Sequence, residues 1–240
     1  EITCRDWSSD VCSSDLATFR IVSAIFGYGV EMGWLSANPC AKLARRLPRT
    51  NKPKGILRPE DLRRLLAAAD DRIMLPTMAL GAFAGLRPCE IERLHWEDIK
   101  WDQGQIFVRP EVVKQTKRER TEGHFVSIND ALREWLLPRS RQTGAIIPVK
   151  DAAIKRAKRT MCEAAGVTIP HDALRHSFAT YHYALHNDAA LTAREMKHAT
   201  TEMTFKHYAR RDVTKKDAEA WFGLRPQRRP RNVIPMRKAG

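Results

Sequence analysis

The stretch from His171 to Tyr183 reads HDALRHSFATYHY. Asp172 is a residue type that favours the first position of a helix, and the residues after it suit a helical continuation to His186. The segment sets Arg175 among histidines. A guanidinium can hold two oxygens of a phosphate by paired hydrogen bonds, and an imidazole can add another. His171 stands four residues before Arg175 and Asp172 three before, offsets that share nearly one helical face. The segment is therefore either part of a phosphate site or only a basic helix, and the rest of the chain has to decide.

The charge points to the first. The chain has 240 residues, a formal net charge of +14, a pI near 9.9 and 43% hydrophobic residues. That length holds one full domain and part of another, and that apolar share is ample for a packed core. So basic a protein suits a polyanionic partner, above all nucleic acid. Five cysteines, at positions 4, 12, 40, 89 and 162, form no CxxC pair. The odd count argues against a disulfide framework and a cysteine zinc site, and fits a reducing compartment. No apolar run approaches the ~18 residues of a membrane span, and no signal peptide is visible. The expected location is the cytoplasm, at the nucleoid when bound to DNA.

Asp6 to Leu16, DWSSDVCSSDL, lacks periodicity and back-translates to a sequencing-library adapter. Residues 1–16 are therefore expected to be non-native. The stretch carries three aspartates and no lysine or arginine, so leaving it out raises the net charge of the remainder from +14 to +17. Phe19, Val22, Ile25, Phe26 and Val30 then mark a helix from Leu16 to Met32, which GWLSANPC (33–40) stops. Ala41 to Lys54 reads as a basic linker. A new unit opens at LRPEDLRRLLAAA (57–69), where Pro59 suits a first turn and Leu62, Leu65 and Leu66 form a stripe. An apolar helix is predicted from Ile73 to Phe83. Gly85 ends it, Pro88 and Cys89 begin another, and Trp96 and Ile99 lead to a turn. DQGQIFV (102–108) and HFVSI (124–128) read as the arms of a hairpin around a basic loop from Lys114 to Glu122. After INDALREWLLP (128–138), helices are predicted over Ala152–Ala165, Asp172–His186, Thr192–Lys197 and Thr201–Tyr208. The basic, proline-rich end from Arg225 to Gly240 is expected to be flexible. The fold class is mainly α, or α+β, with a small antiparallel sheet.

Four features could carry chemistry: Arg87 in GLRPCE, Arg175 in ALRHSF, the loop VVKQTKRER (112–120), and KHATTEMTFKHYARR (197–211), where His198 precedes Tyr208 by ten residues. Singly, each is ordinary. Arg87 can pair with Glu90 on one helical turn, Arg175 can be a solvated charge, and Tyr208 a core aromatic.

In this order they resemble the tyrosine recombinase, or phage integrase, family. That family shows G-L-R-x-x-E, a lysine on a β-hairpin, H-x-x-R-H, G-H and then a tyrosine nine or ten residues on. Here these correspond to Gly85-Leu86-Arg87 with Glu90, to Lys114 or Lys117, to Arg175-His176, to His198 and to Tyr208. The resemblance covers Gly55 to Phe222. GLR alone is weak, whereas LRHSFAT and HYAR in register with it are specific. It implies a catalytic domain over 54–224, and makes 17–48 the last helix of a truncated core-binding domain plus linker. It implies a site-specific recombinase that cuts and rejoins double-stranded DNA through a 3′-phosphotyrosine intermediate, as a homotetramer on paired sites, with no metal, no ATP and no cofactor. Arg87, Lys114, Arg175, His198 and Tyr208 would be catalytic. Lys114, directly after EVV, is preferred to Lys117 as the general acid. Glu90 and His176 would support the site. Lys117, Arg118, Arg120, Lys155, Arg156, Lys158, Arg159, Lys197 and the tail would meet DNA.

The chemistry suits those residue types. Tyrosine has a pKa near 10 and is a poor nucleophile at neutral pH. Two guanidiniums stabilise the charge gathering on a pentacoordinate phosphate and favour the tyrosinate. A lysine can protonate the leaving 5′ oxygen, and the covalent product conserves the bond. Two positions depart from the pattern. Asp172 stands where the family has histidine, leaving His171 as a candidate replacement and Asp172 as a cap. Lys197 replaces the glycine before His198, where positive φ would suit glycine better. His176, His182 and His186 do not complete a zinc set, because no carboxylate or cysteine joins them. A type IB topoisomerase, which shares the chemistry, and a decayed DNA-binding remnant are the competing functions.

Overall fold

The computed structural model describes residues 13–44, 55–112, 122–197, 201 and 212–226. The chain divides into two units, residues 1–53 and 54–240. In the first, helix α1 runs Ser13–Glu31, close to the predicted span, and a short α2, Cys40–Ala44, occupies the start of the expected linker. Gly33, at φ +73°, turns the chain between them. Asn38 Nδ2 donates to the Ser23 carbonyl at 2.9 Å.

The second unit is built around α4 (Met74–Phe83), whose residues are buried almost without exception. A helix apolar on every side belongs inside. Around it lie α3 (Pro59–Ala68), the four-residue α5 (Pro88–Ile91), α6 (Asp130–Leu136), α7 (Asp151–Ala165) and α8 (Ala173–His186). Asn129 caps α6 by accepting from Leu132 N at 2.9 Å, while its Nδ2 donates to the Phe83 carbonyl at 2.6 Å. One side chain thus starts one helix and satisfies the frayed end of another. Strands β1 (Ile99–Lys100), β2 (Gln105–Val108) and β3 (His124–Ser127) form an antiparallel sheet in that order. Ile106 opposes Val126 on the buried face and Phe107 opposes Phe125 on the other. The period-two alternation thereby fixes the register. β1 replaces part of the expected turn after Trp96.

Helix α9 runs Ala189–Met196 and α10 Lys215–Phe222. α9 starts three residues before the predicted Thr192, because Asp188 caps it by accepting from Leu191 N at 2.9 Å. α10 was not predicted, although Thr214 and Asp217 form a capping box, the sequence signature of a helix start. Its Trp221 is fully buried, stacks on Tyr181 with centroids 4.6 Å apart, and donates from Nε1 to the Ala82 carbonyl at 3.0 Å. The expected helix over Thr201–Tyr208 lies outside the described residues apart from Thr201.

Candidate active site

The site begins where α4 ends. Gly85 takes φ +63°, and a Cβ there would lie 2.4 Å from Phe178 Cδ1 of α8. Only glycine allows so close an approach with that backbone. The turn places Arg87 at the N-cap of α5, where its backbone N–H donates to Glu90 Oε2 at 2.8 Å and its Nη1 to Oε1 at 2.9 Å. Glu90 is completely buried, while the Arg87 side chain keeps 33% exposure. A buried carboxylate thus fixes a guanidinium that still faces solvent. The i, i+3 pairing expected from sequence and the family role of Arg87 are compatible, since one guanidinium has more donors than Glu90 uses.

Arg175 sits in the first turn of α8 and is buried. Its Nη1 donates to the Gly85 carbonyl at 2.6 Å and its Nη2 to the Met196 carbonyl. These contacts set it between the α4–α5 turn and the end of α9, so it is not the solvated charge of the simpler alternative. His176, beside it, is buried as well.

The helix begins at Ala173, one residue later than predicted. Asp172 occupies the N-cap but at φ 55°, in the left-handed region, and its side chain makes no capping bond. This corrects the expectation of an Asp172 cap, because capping geometry needs extended backbone at that position. Its Oδ2 instead lies 3.3 Å from Nδ1 of His171, whose side chain is 95% exposed. Both line an open cavity of about 760 Å³ with Arg87, Cys89, Arg93 and Glu111. His171 is at the cavity but outside α8.

The imidazole that the charges of the site surround is one sequence reasoning missed. His124 heads β3, half-buried, with its Nδ1 enclosed and without a hydrogen-bond partner among the described residues. Burial pushes its pKa down to about 4, helped by Lys197, Arg175 and Arg87 and opposed by Glu90. The signal available in the sequence was a histidine leaving a basic hairpin loop.

Lys197 takes φ 46°, as the missing glycine led us to expect, and its Nζ donates to the Glu122 carbonyl at 2.7 Å. Lys155, Arg156, Lys158 and Arg159 lie exposed on α7. Lys155 pairs with Asp151 at 2.6 Å, and that carboxylate, with Glu92 just after α5 more weakly, raises the lysine's pKa. Arg159 lies 4.0 Å from Glu163. Lys114, Lys117, Arg118, Arg120, His198 and Tyr208 lie outside the described residues, as does the tail beyond residue 226.

His182 Nδ1 is 2.8 Å from Thr192 Oγ1, which itself donates to the Asp188 carbonyl. The hydroxyl therefore accepts, and Nδ1 carries the proton. Burial, then His186, lowers the His182 pKa to about 4, against Asp188. Among the described residues no three His, Cys, Asp or Glu side chains group as a metal site would need. No described helix is long and apolar enough to cross a membrane.

Residues 56–215 match the family described as the phage integrase family. IntQ of Escherichia coli (strain K12), a protein described as defective, is 28% identical over 93 residues, which span 39% of this chain and 23% of that one. Among solved structures, a lambda integrase dimer bound to a core site is 18% identical with a TM-score of 0.60, over 83% of this chain and 74% of that one. The Tn1549 transposon integrase in complex with a circular intermediate DNA is 16% identical with a TM-score of 0.59, over 88% and 79%. The XerA recombinase is 16% identical with a TM-score of 0.54, over 90% and 94%. At such identities the structural likenesses establish the fold.

Proposed function

The chain belongs to the phage integrase family, and from that membership we propose that it is a site-specific recombinase that cuts and rejoins DNA through a 3′-phosphotyrosine. The observation that carries the proposal is the Gly85 turn, which presents Arg87 on one side and hands its carbonyl to Arg175 on the other. One backbone joint therefore positions both arginines that a phosphodiester would need. Arg87, restrained by Glu90 but still exposed, would meet a non-bridging oxygen, and Arg175 would add charge from within. Tyr208 would attack phosphorus, Lys114 or Lys117 would protonate the leaving 5′ oxygen, and His198 would donate to the phosphate. The bond energy would be kept in the adduct, so no ATP would be required, and the two guanidiniums would supply the charge stabilisation a metal otherwise gives. Residues 54–224 would form the catalytic domain and 17–48 the end of a core-binding domain. A homotetramer on paired duplex sites, at the nucleoid, completes the assignment.

The test is covalent trapping. Protein and its Tyr208→Phe variant are incubated with nicked duplexes of random sequence, and adducts surviving denaturing detergent are collected. A nick lets the 5′-OH fragment leave, so the phosphotyrosine accumulates. An adduct formed only with Tyr208 is expected. The competing reading is a DNA-binding remnant without catalysis. Salt-sensitive binding with no adduct would establish that reading instead.

A further inference from the structure

The end of α9 is joined to β3 through side chains that no motif requires. β3 is an outer strand of the sheet, and an outer strand leaves backbone groups unpaired. Glu195 meets them. Its Oε2 accepts from Ser127 N at 3.0 Å and its Oε1 from Ser127 Oγ at 2.9 Å. Two residues on, Lys197 donates from Nζ to the Glu122 carbonyl at 2.7 Å. Met196, between them, gives its carbonyl to Arg175. Three successive residues thus hold β3 at Ser127, Arg175 at its guanidinium, and the chain ahead of β3 at Glu122.

Lys197 holds this place in spite of its backbone. It lies in the left-handed region at φ 46°, ψ 53°, and its N–H closes α9 onto the Ala193 and Arg194 carbonyls. Glycine would adopt that turn without strain but has nothing to send to Glu122. His124, the first residue of β3, feels the Lys197 ammonium more than any other charge, which agrees with lysine lying over the start of the strand.

We propose that Glu195 and Lys197 are a clip that sets β3 in register with Arg175, and that both are positioning residues for strand cleavage. The cleavage part rests on the recombinase reading. The clip itself can be read in the protein without DNA.

Two measurements test it, on the full chain. The first is hydrogen exchange of the Ser127 amide in wild type, Glu195→Ala, Lys197→Gly and Lys197→Arg. Loss of the carboxylate is expected to speed exchange at Ser127 by about tenfold or more, with α4 amides unchanged as the control for folding. Unchanged exchange at Ser127 in Glu195→Ala overturns the clip whether or not the protein cleaves DNA. The second is the adduct rate on a nicked duplex over a range of DNA concentrations. Misplaced groups slow chemistry rather than binding. So Glu195→Ala and Lys197→Gly should lower the saturated rate about tenfold while half-saturation stays within about twofold, and Lys197→Arg should recover most of the rate. A saturated rate preserved in Lys197→Gly, with half-saturation raised, would make Lys197 a phosphate contact and overturn the proposal. Wild type that forms no adduct but shows the Ser127 effect would reject the recombinase reading and leave the clip standing as structure.

Discussion

Replacing Gly85 by alanine tests the joint on which the site is built. Two costs add. An L-residue at φ +63° loses about 1 kcal/mol relative to glycine. The new Cβ would also lie 2.4 Å from Cδ1 of Phe178 and 3.0 Å from its Cγ and Cε1, and forcing apart a packed core costs about 1–3 kcal/mol. Gly85→Ala should therefore destabilise the protein by about 2–4 kcal/mol, read from urea unfolding followed by circular dichroism. The two parts separate in a double-mutant cycle. Phe178→Ala is itself destabilising by about 3–5 kcal/mol, but in that background Gly85→Ala should cost only the backbone share of about 1 kcal/mol, because the clash has no ring to meet. The Gly85 carbonyl also accepts from Arg175, so Gly85→Ala should slow adduct formation more than its stability loss explains at temperatures where it is folded. A cost below about 0.5 kcal/mol, or an equal cost in both backgrounds, would refute the packing argument.

Glu90→Ala removes a buried carboxylate that accepts twice from Arg87. Since the Arg87 guanidinium keeps access to water, the expected loss is about 2 kcal/mol in the same unfolding assay, below that of a fully enclosed pair, with Glu90→Gln milder. Stability should fall in acid: burial holds His182 at a pKa of about 4 against about 6.5 in the unfolded chain. The unfolded state then binds more protons, so stability present above pH ~6.5 is lost as pH falls towards 4, by up to about 3 kcal/mol. His182→Leu should flatten the unfolding midpoint between pH 6.5 and 4 relative to wild type, leaving the slope due to His124, whose pKa burial lowers to about 4 as well. Thr214→Ala should cost about 1 kcal/mol by removing the hydroxyl that accepts from Asp217 N, measured as a lower thermal midpoint.

Much of this architecture was readable because it rests on short-range rules. The apolar run of α4, the Leu62–Leu65–Leu66 stripe and the alternation of the β-hairpin each follow from local periodicity. The pairing of Arg87 with Glu90 follows from an i, i+3 spacing. What sequence could not supply depends on distant contacts. Nothing local says that Arg175 donates to the Gly85 carbonyl, 90 residues away, or that His124 comes under the same charges. β1 has only two residues and exists because β2 pairs with it. α10 was missed for a different reason: its capping box was in plain view, between a motif already assigned and a tail read as flexible.

Among the described residues, the non-glycine residues at positive φ are Asp172, Asn187 and Lys197, and they bracket α8 and α9. Asn187 is the ordinary case, since asparagine tolerates the left-handed region and ends helices there. The other two are the positions at which the chain departs from the family motif. Asp172 gives up the cap it could have made and turns its carboxylate to His171 at the cavity. Lys197 accepts a glycine's backbone and sends its ammonium to Glu122. A decayed site would be expected to lose contacts at its altered positions. Here both altered residues make polar contacts, and one of those contacts reaches the chain just ahead of the strand that His124 begins. Backbone strain persists only where the surrounding structure over-determines it. Both strained turns flank Arg175: Asp172 precedes its helix, and the Lys197 turn follows the Met196 carbonyl to which it donates. The departures therefore fit a site arranged differently from the motif, with His124 of β3 under the charges of Lys197, Arg175 and Arg87.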